Sequence, residues 1–227
     1  MKKIELLYQD TDNYFMREAF NTLRTNVLFC GTDVKKILIT SCVAHEGKTT
    51  ISMELARSLA ETGKKVLLID ADLRKSVTAT RYTKETGVSG LSEYLSGQAT
   101  LEDVTYSSQY PGLDIIFAGP YPPNPAELVG NSTFQSLLDT AAKDHDYVLI
   151  DAPPLGMVID AAVMSEFCDG ALLVINRGSV KYRMAQSVAG QLQKSGCKLL
   201  GVILNQPTGS RRTVKATDQY KYQYKYY

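Results

Sequence analysis

The stretch Ser41-Cys42-Val43-Ala44-His45-Glu46-Gly47-Lys48-Thr49-Thr50 follows a short β-branched run and opens an amphipathic segment. A loop of this kind can wrap a phosphate chain with backbone N–H groups, seat it at a positive helix end, and place the Lys48 ammonium on the outer oxygens. Thr49 offers a hydroxyl to Mg²⁺, and Thr50 can reach an inner phosphate. The full pattern GxxxxGK[ST] needs glycine where this chain has Cys42, so the loop alone also reads as a helix start that happens to contain Gly-Lys-Thr.

Two more apolar runs end in carboxylates. Val66-Leu67-Leu68-Ile69 leads into Asp70-Ala71-Asp72, and Tyr147-Val148-Leu149-Ile150 leads into Asp151. In an extended chain Asp70 and Asp72 point the same way, about 7 Å apart, and two like charges there need a cation or a proton between them. Asp151 stands where a metal-orienting aspartate sits beside a phosphate loop, although a strand-ending Asp is also a common turn or cap residue. One lysine and three aspartates on a common rim predict a nucleotide site.

The elements that must position them are legible as well. Ile37 to Ile39, Val66 to Ile69, Tyr147 to Ile150, Ala171 to Ile175 and Leu199 to Leu204 are short, β-branched and without polar alternation, which is how strands buried on both faces read. Between them, Gly47 to Glu61 aligns Ile51, Leu55, Ala56 and Leu59, and Val180 to Lys194 aligns Met184, Val188 and Leu192. Asp12 to Phe29 reads as a leading helix, with Asp12 or Asn13 as cap and Phe15, Ala19, Leu23 and Val27 along one face. This alternation predicts an α/β fold: a mostly parallel sheet with helices on both faces and ligands beyond the carboxyl ends of its strands.

Composition limits the alternatives. With 227 residues, 22% charged and 44% hydrophobic, the chain can bury a substantial core and is neither disordered nor collagen-like. A net charge of +1 gives no reason to expect nucleic acid as a partner. Four cysteines without CxxC or Cys/His spacing suit a reducing, intracellular setting. Neither a signal peptide nor an apolar run of about 18 residues is visible, so any membrane association is expected through a partner.

The loop from Cys42 to Thr50, the segment Leu68-Ile69-Asp70-Ala71-Asp72-Leu73-Arg74 and the segment Leu149-Ile150-Asp151-Ala152-Pro153-Pro154 resemble the Walker A, Walker A′ and Walker B motifs of the bacterial tyrosine kinases, the BY-kinases. The resemblance runs over almost the whole chain, including Arg17 to Asn26, Asn124 to Leu128 and Gly201 to Asn205, and points to the free-standing cytoplasmic kinases of Gram-positive bacteria. It implies a P-loop NTPase-like fold, an ATP- and Mg²⁺-dependent protein-tyrosine kinase, and a role in capsular or exopolysaccharide biosynthesis and export. It also implies a separate transmembrane activator or polysaccharide co-polymerase that recruits the protein to the inner membrane face, a cognate tyrosine phosphatase, and a homo-oligomeric ring.

By the same resemblance, Asp70 would orient or deprotonate the tyrosine hydroxyl, with Asp72, Asp151 and Thr49 as metal residues; the residues alone leave open which of Asp70 and Asp72 is nearer the metal. Phosphate and nucleotide contacts would come from His45, Glu46, Gly47, Lys48, Thr49 and Thr50, with Asn205 as the adenine-contacting position or simply a strand-ending turn residue. Two departures stand out. His45 replaces the usual glycine, at a cost if the backbone there needs a positive φ. In the assembly helix only Glu18 and Arg24 of a Glu-x-x-Arg-x-x-Arg pattern are kept, Asn21 standing at the middle position, and the two otherwise read as a solvated face.

The last eight residues contain Tyr220, Tyr222, Tyr224, Tyr226 and Tyr227, more than a third of the chain's 14 tyrosines. Their alternation fits a C-terminal edge strand, but interrupting lysines and the absence of a partner strand favour a phosphoacceptor tail. The division expected is a kinase domain over 1–207, including the N-terminal helix, and a flexible tail over 208–227. Residues 211–227 hold five basic and one acidic side chain, so the other 210 residues hold 20 and 23: a mildly acidic body carries a basic tail. Two rival readings share the loop. A positional, partitioning-type ATPase would place a second lysine at position 43, where this chain has Val43. A non-catalytic nucleotide-binding adaptor is suggested by His45.

Overall fold

The computed structural model describes residues 2–7 and 14–205. Eight strands form one sheet in the order β1-β4-β5-β3-β6-β2-β7-β8. Its centre is built from four of the apolar runs, β2 (Lys36–Ser41), β3 (Val66–Asp70), β6 (Tyr147–Asp151) and β7 (Gly170–Asn176). The fifth, β8 (Leu199–Asn205), is the edge strand beyond β7 and is not buried on both faces as its sequence suggests, Val202 being 54% and Leu204 61% exposed. All of these pair in parallel. At the other side lie β1 (Lys2–Ile4), β4 (Thr105–Ser108) and β5 (Leu113–Ile116), where β4 and β5 form the antiparallel pair.

Successive strand residues go to opposite faces and fill two cores. Ile37, Ile39, Val66, Leu68, Leu149 and Val174 pack with Ile51, Leu55 and Leu59 of α2 (Lys48–Ala60). Leu38, Leu67, Ile69, Val148, Ile150 and Leu173 pack with Phe134 and Leu138 of α7 (Ser132–Asp144), Met164 of α8 (Asp160–Ser165), and Val188 and Leu192 of α9 (Tyr182–Lys194). Helices therefore cover both faces, as a parallel sheet requires. Short helices α3 (Thr78–Tyr82), α4 (Leu91–Leu95), α5 (Leu101–Val104) and α6 (Pro125–Val129) fill the connections.

The leading helix α1 (Tyr14–Leu28) lies on α2. Its expected caps, Asp12 and Asn13, are outside the described residues, and its apolar face is shorter than the spacing predicts. Val27 is buried and Leu23 and Phe20 are partly so, but Phe15 is 81% exposed. Arg24, expected on the assembly face or a solvated one, is half-buried: its guanidinium donates to Ser58 O at 3.1 Å and Ser58 Oγ at 3.0 Å, fastening α1 to α2. Glu18 stays exposed and accepts from Asn21 Nδ2 at 3.1 Å.

His145, given no role by its sequence context, closes α7. Its ring lies 3.0 Å from Ala141 O and 3.4 Å from Asp114 Oδ2. Burial pulls its pKa down, but Asp114 and the Ala141 carbonyl outweigh burial and leave it above the ordinary 6.5. A raised histidine stabilises the fold fully below about pH 6.5, and that contribution fades as pH climbs through the folded value. His145→Gln is expected to cost about 0.5–1 kcal/mol at pH 6 and less at pH 8, measured by urea unfolding at both.

Candidate active site

Register brings the chemistry together. Asp70 on β3 pairs across the ladder with Asp151 on β6, and Ile39 on β2 flanks Asp151 from the other side. Three adjacent parallel strands thus release the phosphate loop and the carboxylates at one carboxyl rim. Lys48 begins α2 directly after Gly47, whose φ is 87°. A Cβ there would stand 2.2 Å from Asn205 Nδ2, so glycine is required both for its backbone and for the close approach. Gly47→Ala is expected to cost about 1–3 kcal/mol of stability by denaturant titration, and to weaken binding of a fluorescent ATP analogue about tenfold or more.

His45 adopts φ 64°, the left-handed conformation anticipated for a position where glycine is usual. It is exposed and pays a steric cost of roughly 1–2 kcal/mol. His45→Gly is expected to change stability by less than about 1 kcal/mol, because relief of that strain is offset by the added freedom of the unfolded chain. The same denaturant titration checks it.

Glu46, expected among the nucleotide contacts, turns its side chain inward and is 2% exposed. Oε2 accepts from the N–H groups of Cys42 at 2.7 Å and Val43 at 2.9 Å, while Oε1 accepts from Asn176 N at 3.1 Å and the Ser179 hydroxyl at 2.5 Å. This carboxylate braces the loop against β7, leaving only the Glu46 backbone to face a ligand. Asn205, ending β8, donates from Nδ2 to Glu46 O at 3.0 Å. Cys42, in the place of the missing glycine, is fully buried, and burial with the Glu46 charge pushes its thiol up to about 11.

The charged centre is compact. Lys48 Nζ lies 2.9 Å from Asp72 Oδ2, with side-chain exposures of 12% and 8%. Burial works against the lysine charge, but Asp151 and Asp72 more than restore it, so its pKa is above the ordinary 10.5. Burial and the Asp151 charge push Asp70 up to about 7 despite a hydrogen bond from Ser76. Asp151 is raised too, by burial, against the pull of Lys48. Its Oδ1 accepts from Ser52 Oγ at 3.3 Å, whereas buried Oδ2 has no hydrogen-bond partner.

Sequence spacing put Asp70 and Asp72 on one side of an extended strand, but β3 ends at Asp70 and the chain then turns. Asp72 N donates to Asp70 Oδ1 at 3.2 Å, and Asp72 Oδ1 accepts from Lys75 N at 3.0 Å. The two carboxylates are thereby separated in role: Asp72 faces Lys48, and Asp70 lies deeper at 1% exposure. A cavity of ≈ 250 Å³ at the rim is lined by Lys48, Thr49, Thr50, Asp72 and Ser76 among others, but not by Asp70. Ser76 bridges the difference, donating its hydroxyl to Asp70 Oδ2 at 2.5 Å.

Several functional neighbours escaped the sequence reading. Ser52 had a usable signal, since it stands four residues after Lys48 and its hydroxyl returns to Lys48 O at 2.9 Å. Ser76, and Arg81, which donates to Thr50 Oγ1 at 3.1 Å, lie in a connection with no periodic pattern. Arg74 makes a bidentate pair with buried Asp160 at 2.7 and 2.9 Å, whose partner is 86 residues away. Tyr220, Tyr222, Tyr224, Tyr226 and Tyr227 lie outside the described residues.

Comparison with known proteins separates the fold from the chemistry. The family profile described as "AAA domain" matches residues 34–177, the part that carries the loop and both carboxylate strands. The tyrosine-protein kinase CpsD of Streptococcus agalactiae serotype Ia is 41% identical over 196 residues, covering 86% of this chain and 84% of that protein. The chain belongs to the bacterial tyrosine kinase family. A second relative of this kinase, the tyrosine-protein kinase YwqD of Bacillus subtilis, is 39% identical over 190 residues, covering 83% and 80%. Among solved structures, the kinase domain of Escherichia coli tyrosine kinase ETK is 34% identical with a TM-score of 0.80, covering 86% of this kinase and 77% of that chain. The cell division ATPase MinD of Pyrococcus furiosus shares the fold less closely, at 26% identity and TM-score 0.65 over 78% and 74%. The positional-ATPase reading thus accounts for the kinase's architecture, while the closer likeness is to tyrosine kinases.

Proposed function

We propose that this tyrosine kinase uses Mg²⁺·ATP to phosphorylate Tyr220, Tyr222, Tyr224, Tyr226 and Tyr227 of a neighbouring copy, and that it governs capsular or exopolysaccharide synthesis and export. The observation carrying this reading is the meeting of Lys48, Asp72, Asp151 and Asp70 at a braced phosphate loop. The donor set suits a hard divalent cation: Asp151 has an unpartnered buried oxygen, Asp72 faces the cavity, and Thr49 supplies a hydroxyl beside them. Such an ion, when bound, would neutralise charge on the phosphates.

The remaining chemistry belongs to the chain. Loop N–H groups and Lys48 hold and neutralise the outer phosphates, Lys48 exchanging its Asp72 contact for them. The tyrosine oxygen attacks the γ-phosphorus as the bond to the ADP oxygen breaks, and ADP leaves with the electron pair. The phenolic proton passes to Asp70, whose pKa of about 7 suits a base that must both accept and release a proton near neutrality. The incoming phenol takes the position on Asp70 held by the Ser76 hydroxyl.

Residues 1–207 form the catalytic domain and 208–227 the acceptor tail in this reading. Among the described residues no helix is long and apolar enough to cross a membrane. Recruitment to the inner membrane face is assigned to a separate transmembrane co-polymerase, and reversal of the modification to a phosphatase, as the family resemblance implies. Oligomerisation into a ring is assigned to the helix that carries exposed Glu18 and half-buried Arg24, the latter held in place by Ser58. Each phosphorylation adds about −1.5 to −2 charges, so a fully modified tail disfavours the assembled state.

Transfer between copies is tested by mixing two defective chains with ATP and Mg²⁺. A chain lacking 208–227 keeps the catalytic site, and a full-length Lys48→Met chain keeps the tail. Phosphotyrosine on the longer chain, absent when either is incubated alone, is the expected result. ATP hydrolysis without phosphotyrosine in the wild type would favour a positional ATPase, and binding without either would favour an adaptor.

A further inference from the structure

Single exposed apolar side chains are ordinary, but several gathered at a working cavity are not. Val77 is 46% exposed, Tyr121 65%, Met157 62% and Ile159 58%. They come from three connections, after β3, β5 and β6, all leaving the carboxyl rim. Val77 and Met157 line the cavity beside Lys48. Arg74 links the other two to it: it lines the same cavity, grips Asp160 next to Ile159, and has the Tyr121 side chain in its neighbourhood. With Asp160 1% exposed, this ion pair fixes the segment carrying Met157 and Ile159 against the rim.

We propose that Val77, Tyr121, Met157 and Ile159 form the acceptor-docking rim of the kinase, and that its occupant is the tyrosine-rich stretch 220–227 of a second copy of this chain. The inference rests on the tyrosine-kinase reading and specifies how that site recognises its substrate.

The chemistry of the occupant fits. Five of its eight residues are tyrosines and none is acidic. When one tyrosine enters the cavity, the rings at alternate positions follow about 7 Å apart along an extended chain and need apolar surface outside it. Tyrosine, methionine and branched aliphatic side chains supply that surface, since aromatic and sulfur–aromatic contacts tolerate varied geometry. Charge supplies no attraction: Lys48, Arg74, Lys75 and Arg81 line the cavity with Asp72 as the one carboxylate in its lining, and the tail stretch itself carries Lys221 and Lys225, so apolar contact must supply the docking. The 14 residues from 206 to 219 allow the stretch an extended reach of up to about 46–50 Å.

The test uses the full-length Tyr121→Ser/Ile159→Ser double variant, whose changes are exposed and outside the cavity lining. Two acceptors are compared: a peptide of residues 215–227, and the same peptide with Tyr220, Tyr222, Tyr226 and Tyr227 replaced by serine. The wild type is expected to favour the tyrosine-rich peptide by KM, and the variant to raise that KM about tenfold, as loss of two apolar contacts implies. Its KM for ATP and for the single-tyrosine peptide should stay unchanged. A variant that keeps the wild-type preference overturns the docking rim and leaves the kinase intact, including the case in which the rim serves the membrane partner. A wild type that phosphorylates neither peptide strikes the kinase reading itself.

Discussion

Lys48→Met reduces tyrosine phosphorylation by about 10²–10³-fold, the scale of losing one preorganised charged donor at a reacting centre. The ammonium is already in place: α2 begins at Lys48, and its charge is secured by Asp151 and Asp72 against the effect of burial. Methionine keeps the length and most of the packing of lysine but carries no charge. The phosphates then meet a loop without its cation, and Asp72 loses a partner 2.9 Å away at a site where both side chains are mostly buried. A fall of about 1–3 kcal/mol in the stability of the nucleotide-free chain accompanies the lost activity. Initial rates of phosphotyrosine formation and urea unfolding measure the two effects. A variant within tenfold of the wild-type rate would remove Lys48 from the mechanism.

Asp70→Asn moves activity and stability in opposite directions. Transfer falls about 10²–10⁴-fold because the amide cannot accept the phenolic proton. The fold, however, gains. Asp70 has an ordinary pKa of 3.8 but is pushed up to about 7 by burial and by Asp151, so between those values the native chain holds a proton that the unfolded chain releases. Stability is consequently lost as pH rises from about 4 to 7, and the loss is complete above that range. Asparagine has no such loss, and its amide can still accept from Asp72 N and meet the Ser76 hydroxyl. The variant is expected to melt above the wild type at pH 8 and level with it near pH 3.5. Equal melting temperatures at pH 8 would show that Asp70 carries no unfavourable charge.

The central strands were readable because their apolar runs answer to two buried faces at once, and the loop and carboxylates because they terminate those runs. β1, β4 and β5 were not: Lys2-Lys3-Ile4, Thr105 to Ser108 and Leu113 to Ile116 are too short, and too polar in two cases, to stand out from loops. Helix α7 was missed although Asn131 caps it by accepting from Phe134 N at 2.9 Å. The side-chain directions at the site were the least legible part. Glu46 belongs to a phosphate loop by position, yet its carboxylate is claimed by Asn176 and Ser179, 130 and 133 residues away. Arg24 looks like a surface charge until Ser58 is brought beneath it. Distant partners of this kind are set by packing and leave no local trace.

The bond from Asn205 Nδ2 to Glu46 O ties the last residue of β8 to the phosphate loop. Glu46 is held on its other side by Asn176, at the end of β7, and by Ser179 just beyond it. One loop residue is thus the knot between two strand ends that lie more than a hundred residues further along the chain. A change that moves either strand end is felt first where phosphates would sit, so the shape of the loop is held from outside its own sequence.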